Sequence, residues 1–100
     1  MTSIRKIPGS SHQQNDRELA QDLFEKNRLT EALEILQRYG LDEMELSTRF
    51  LMGKVHLSLN RFIEAKLYLE RVFSEDRQNK QALRLLIEIH NHLNEYDSFY

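Results

Sequence analysis

Apolar residues recur along this chain at helical spacing. Leu46, Phe50, Gly53 and Leu57 fall at i, i+4, i+7 and i+11, along one stripe of a helix. After a break at Asn60-Arg61, a second stripe holds Phe62, Ala65, Leu69, Val72 and Phe73. An earlier one holds Leu29, Ala32, Leu33, Leu36 and Tyr39, closed by Gly40. The spacing predicts helices over 30–39, 42–59 and from 62 onward. Asp42, with Glu45 three residues on, has a capping-box pattern in which Asp stands in for Ser or Thr. Asn60 suits the left-handed residue that ends a helix. A further helix over 80–93 carries Leu83, Leu85, Leu86, Ile87, Ile89 and Leu93. Its apolar arc is too wide for a terminal cap, whose outer face is polar. Short helices joined by turns of two to four residues pack as antiparallel hairpins.

The pattern repeats. Asn27-Arg28-Leu29, Asn60-Arg61-Phe62 and Asn94-Glu95-Tyr96 are one phrase at offsets of 33 and 34 residues. The same offsets relate Leu19 to Met52 and Leu86, and Ala20 to Gly53 and Ile87. They also relate Leu23 to His56 and His90, Ala32 to Ala65 and Phe99, and Leu36 to Leu69. So many matches at one spacing indicate a tandem two-helix unit.

These residues resemble the tetratricopeptide repeat. Met52-Gly53 matches its small residue in the first helix, Phe62 the aromatic after the turn, and Glu64-Ala65 the small residue of the second helix. Leu69 and Val72 match the later positions. On this resemblance the repeats run over 13–45, 46–79 and 80–100, the last incomplete. The implied fold is all-α, an α-solenoid fragment of about five helices in tandem hairpins. The aromatic usual near the start of the first helix is replaced by Asp16, Arg49 and Leu83. Ile87 and Phe99 put bulk where the family prefers Gly or Ala.

The resemblance also implies a concave groove lined by the first helix of each repeat. Its candidate binding residues here are Arg17, Gln21, Phe24, Phe50, Leu51, Lys54, Leu57, Arg84, Leu85 and Glu88. Relatives that grip acidic chaperone tails use a clamp of donor side chains. Two of those positions are Leu51 and Leu85 here, which cannot donate to a carboxylate, so that activity is not expected. Phe50, Leu51, Leu57 and Leu85 instead suggest an apolar strip, exposed when no partner is bound, for an amphipathic or extended segment. A second candidate surface is the C-terminal apolar face of Leu86, Ile87 and Leu93. Tyr96 and Phe99, another chain or a second copy is expected to cover it.

Composition narrows the chemistry. Within 100 residues, 40% are hydrophobic and 30% charged, which suits one small domain with a modest core. Three glycines and one proline are too few for an all-β fold built on tight turns. No cysteine is present, so disulfides, thiolate metal sites and cysteine nucleophiles are excluded. A net charge of −2 gives none of the basic surplus of a nucleic-acid binder. Residues 1–12, polar and broken by Pro8-Gly9, read as a flexible tail rather than a targeting segment. No apolar run suits a membrane span. His90 and His92 point apart on a helix, whereas His56 and His90 hold equivalent repeat positions and are read as packing histidines, with a metal or proton-linked role remote. No catalytic or phosphate-binding motif appears.

The expectation is therefore a non-enzymatic, cofactor-free cytoplasmic adaptor or small chaperone, with small secretion chaperones one subclass of similar architecture. Its alternative is a structural assembly or oligomerisation subunit, or a fragment of a longer repeat protein, held through its apolar C-terminal helix.

Overall fold

The computed structural model describes residues 8–97, with side chains for residues 12–94. Five helices follow one another: α1 (Pro8–Glu25), α2 (Leu29–Leu36), α3 (Leu46–Ser58), α4 (Phe62–Glu75) and α5 (Lys80–Asp97). A 3-10 turn over Leu41–Glu43 joins α2 to α3. The described residues contain no strand. Each helix packs on the next, and α1 also touches α3, so the hairpins stack in a row.

The two hairpin turns are built alike. Asn27 and Asn60 take φ of 63° and 62°, as expected for Asn60. In the first turn the Arg28 N–H donates to Leu23 O at 2.7 Å, and in the second the Arg61 N–H donates to His56 O at 2.9 Å. These bonds span six residues and satisfy helix-end carbonyls that would otherwise be orphaned. The chain reverses within a few residues and lays α2 on α1 and α4 on α3.

Small residues then let the backbones meet. Ala20, Ala32 and Ala65 are fully buried. A Cβ added at Gly53 would lie 2.7 Å from Leu69 Cγ, well inside contact distance. One core cluster joins α1, α2 and α3 through Ala20, Leu33, Leu36, Leu51, Met52 and Val55. A second joins α4 to α5 through Ala65, Leu69, Leu86 and Ile89.

Several local expectations are corrected. The first helix begins at Pro8, so residues 8–12 are helical rather than part of a tail. A proline is tolerated in the first turn because its missing N–H has no intrahelical acceptor there. The Asp42–Glu45 capping box does not form. Glu43 Oε1 instead accepts from the Gly40 N–H at 2.9 Å, closing the 3-10 turn. The Glu45 N–H at the start of α3 donates to Gln13 Oε1 of α1 at 2.6 Å. Asp42 is drawn away to Arg71 of α4. At Asn94, the counterpart of Asn27 and Asn60, no turn occurs and α5 continues to Asp97.

At two of the three positions where the tetratricopeptide pattern usually has an aromatic, a polar tie stands instead. Asp16 accepts from the Tyr39 hydroxyl at 2.6 Å. Burial, reinforced by Asp16, pushes the Tyr39 pKa up to about 12. Arg49, buried beneath α4, donates to Leu41 O at 3.0 Å and to Glu75 at 2.6 Å. Asp16 ties the middle of α1 to the residues just after α2, and Arg49 ties the start of α3 to the last residue of α4.

His56 is buried and stacks on Tyr68 with ring centroids 5.4 Å apart. Its Nδ1 has no hydrogen-bond partner among the described residues. It is thus a packing histidine. His92 stacks on Phe62 at 4.6 Å, and His90 is exposed.

Two predictions follow from this packing. On an open helix face, Gly→Ala gains about 1 kcal/mol. At Gly53 the same change should lose stability, and Gly53→Leu should cost about 1–3 kcal/mol by overpacking. Denaturation midpoints check this, and unchanged values would remove the helix register. Burial, and next Arg61, hold the His56 pKa below its ordinary value, with Glu64 opposing. A depressed folded-state pKa stabilises above the unfolded value near 6.5, and that stability is lost as pH falls through the lowered pKa. Thermal midpoints should therefore drop as the pH falls from about 6.5 towards the lowered pKa, and His56→Phe should shallow the drop. An identical slope in the variant would place the acid sensitivity elsewhere.

Candidate functional site

A cleft runs between the first helices of the two hairpins, α1 and α3. About 390 Å³ in volume, it is lined by Arg17, Glu18 and Gln21 of α1 and by Ser47, Phe50, Leu51 and Lys54 of α3. On α1, Arg17, Gln21 and Phe24 recur at i, i+4 and i+7, which aims them at one neighbour. On α3, Phe50 and Lys54 stand one turn apart and face them.

The polar groups of the cleft are oriented by their neighbours. Arg17 is held by Glu45 Oε1 at 2.7 Å and by Thr48 Oγ1 at 3.3 Å. Gln21 donates to Glu25 at 3.0 Å. The Lys54 ammonium lies 4.8 Å from the centroid of Phe50 and 5.7 Å from that of Phe24. Two rings thus offer their electron-rich faces to one cation. Partial burial lowers the Lys54 pKa, and Glu25 opposes the shift. Lys54 makes no ion pair within 4.0 Å among the described residues.

The structure changes the apolar strip. Leu51 is only 2% exposed and belongs to the first core cluster, so it is the floor of the cleft and not a free anchor. It turns inward because the stack needs a bulky side chain between α1 and α3. Phe50, Leu57 and Leu85 are half-buried against the second core cluster. Of these, Phe50 alone reaches the cleft, and it also borders a second one of about 330 Å³ with Leu46, Ser47, Val72 and Asn79. Arg84 and Glu88 are exposed on α5 and do not line the α1–α3 cleft. Glu45 and Thr48, which fix Arg17, were missed by sequence reading. They lie 28 and 31 residues from it, and only a fold brings them together.

The second candidate surface lies between α4 and α5. A cleft of about 370 Å³ is lined by Phe73 and Arg77 of α4 and by Leu83, Leu86, Ile87 and His90 of α5, with Glu70 and Ser74 at its edge. Leu86 is already buried in the second core cluster and needs no further cover. Ile87 and Leu83 are 53% and 41% exposed, and Leu93 is half-buried. The covering proposed for Tyr96 and Phe99 lies outside the residues whose side chains are described.

Residues 5–72 match the family model described as anaphase-promoting complex, cyclosome, subunit 3. The chain belongs to this family. The family is of tetratricopeptide type, and the all-helical stack agrees with it. The matched span contains the first hairpin and the second through most of α4, and ends before α5. No curated protein and no solved structure matches the chain. Repeats of this family's type generally serve as protein–protein interaction scaffolds and are typically non-enzymatic. Among the described residues, no helix is long and apolar enough to cross a membrane.

Proposed function

We propose that this protein is a non-enzymatic adaptor that holds a segment of a partner protein in the α1–α3 groove. The observation that carries the reading is the Phe24–Lys54–Phe50 arrangement at a cleft of about 390 Å³. Here the cation is already partly desolvated, so a partner loses little in covering it. An apolar side chain of the partner fits against Phe50, over the floor made by Leu51. Ser47, Gln21 and Arg17 stand at the rim, where they can bond to an extended backbone or to polar side chains. The groove suits an amphipathic or extended segment with one apolar anchor. A family model described as a subunit of a complex supports a role in holding protein partners.

The test is capture of partners from the native cell, with mass-spectrometric identification, followed by titration of the recovered partner. Phe50→Glu and Lys54→Glu should each weaken binding by about thirtyfold, the equivalent of about 2 kcal/mol at a central anchor. Because Phe50 also packs on the second core cluster, each variant is first checked for an unchanged helical circular dichroism spectrum. Lys54→Glu alters the groove surface without entering a core cluster and keeps the test decisive if Phe50→Glu unfolds. Normal binding by both folded variants would show that the groove is not the site.

A further inference from the structure

One charge in the α1–α3 cleft is left without a counterpart. Arg17, Glu18 and Lys54 are the charged side chains that line it. Arg17 is neutralised by Glu45 at 2.7 Å. Glu18 accepts from the Gln14 amide at 3.3 Å. Glu25, whose carboxylate acts on Lys54 from a distance, accepts instead from Gln21 at 3.0 Å. Lys54 has neither an ion pair within 4.0 Å nor a hydrogen-bond acceptor among the described residues. An ammonium carries three N–H donors. Its neighbours here are the rings of Phe50 at 4.8 Å and Phe24 at 5.7 Å. Ring faces attract a cation but are weak hydrogen-bond acceptors. The groove therefore presents a partly desolvated cation that lacks an anion.

Beyond Phe50 the groove is uncharged. The neighbouring cleft of about 330 Å³ shares Ser47 and Phe50 with the first and adds Leu46, Val72 and Asn79. Asn79 Oδ1 accepts from the Ala82 N–H at 2.9 Å at the start of α5, which leaves its amide nitrogen as a donor. Along α3, then, Lys54 marks a cationic end, Leu46 an uncharged end, and Phe50 stands between them.

We infer that the groove selects an acidic side chain in the partner segment, paired with Lys54 and two residues from the apolar side chain seated against Phe50. The inference rests on the α1–α3 groove being the partner site. Charge complementarity carries it. A basic residue at that place meets Lys54 and is repelled. A neutral one leaves the ammonium unpaired. A carboxylate supplies the missing acceptor, in a charge-assisted bond about twice as strong as a neutral one. The separation follows from geometry. Alternate residues of an extended segment face the same way and lie about 7 Å apart. Phe50 and Lys54 lie one turn, about 6 Å, apart along the α3 axis. The residue between the acid and the anchor faces away from the groove.

The probe is a phage-displayed library of random dodecapeptides selected on the full chain, with recovered peptides synthesised and titrated by fluorescence anisotropy. Those that shift the Phe50 and Lys54 amides should carry Asp or Glu two positions from an apolar residue. Replacing that acid by its amide should weaken binding about tenfold, the scale of one hydrogen bond to a charged group. Lys54→Gln should cost the same, with little further loss when both changes are combined. A peptide with lysine in place of the acid should prefer Lys54→Glu to the unchanged chain. Circular dichroism checks each variant, and the peptide change by itself keeps the test decisive if a Lys54 variant unfolds. Peptides that bind at Phe50 with no preference for an acid, or that lose as much on acid-to-amide replacement in Lys54→Gln as in the unchanged chain, overturn this inference and leave the groove as the partner site. Peptides that shift neither amide, or the recovery of no binder, overturn both. Self-association that Lys54→Glu abolishes, read by light scattering, assigns the groove to a second copy and overturns the inference as well.

Discussion

The backbone of α3 and the side chain of Leu69 occupy the same small space, and they can do so because residue 53 has no Cβ. This close approach sets the rotation of α3 about its axis. With Gly53 turned towards α4, Leu51 faces the interior between α1 and α3, and Phe50 and Lys54 face the groove. A bulkier residue 53 would push the helices apart and swing every one of these side chains. Ala20, Ala32 and Ala65 apply the same constraint elsewhere in the stack, with a methyl group where contact is less severe.

Polar contacts then lock what apolar packing brings together. Asp16 with Tyr39, and Arg49 with Glu75 and Leu41, tie the two helices of each hairpin together. Each stands where the family usually places an aromatic ring, and each replaces area with directed hydrogen bonds. A buried arginine is costly unless paired, so Arg49 depends on the C-terminal end of α4 being in place. Gln13 adds a tie between repeats. It bonds to both Glu43 and Glu45 and supplies the helix-start acceptor that Asp42 does not.

The two surfaces left over differ in kind. The α1–α3 cleft has an apolar floor and polar walls whose donors are already oriented. The α4–α5 cleft is the uncovered side of a helix that has the hydrophobic pattern of a buried one. Both follow from one geometry, because a helix in a repeat stack must serve its own hairpin, the preceding one and the solvent-facing groove.

Hydrophobic period and repeat offset alone determined the helical class, the hairpin units, the left-handed Asn60 and the small residues at 32, 53 and 65. These are local or periodic properties, written in residue spacing. The resemblance to the tetratricopeptide repeat pointed to Arg17, Gln21, Phe50 and Lys54, and all four line the α1–α3 cleft. Sequence reading misplaced Leu51 as a free anchor and Asp42 as a cap. In these cases competition between distant groups decided the outcome. Leu51 is claimed by the core between α1 and α3, Asp42 by Arg71, and the start of α3 by Gln13. Period tells which residues share a face. Only the packed stack decides which face is covered and which is left open, because that depends on side chains about 30 residues away reaching it first.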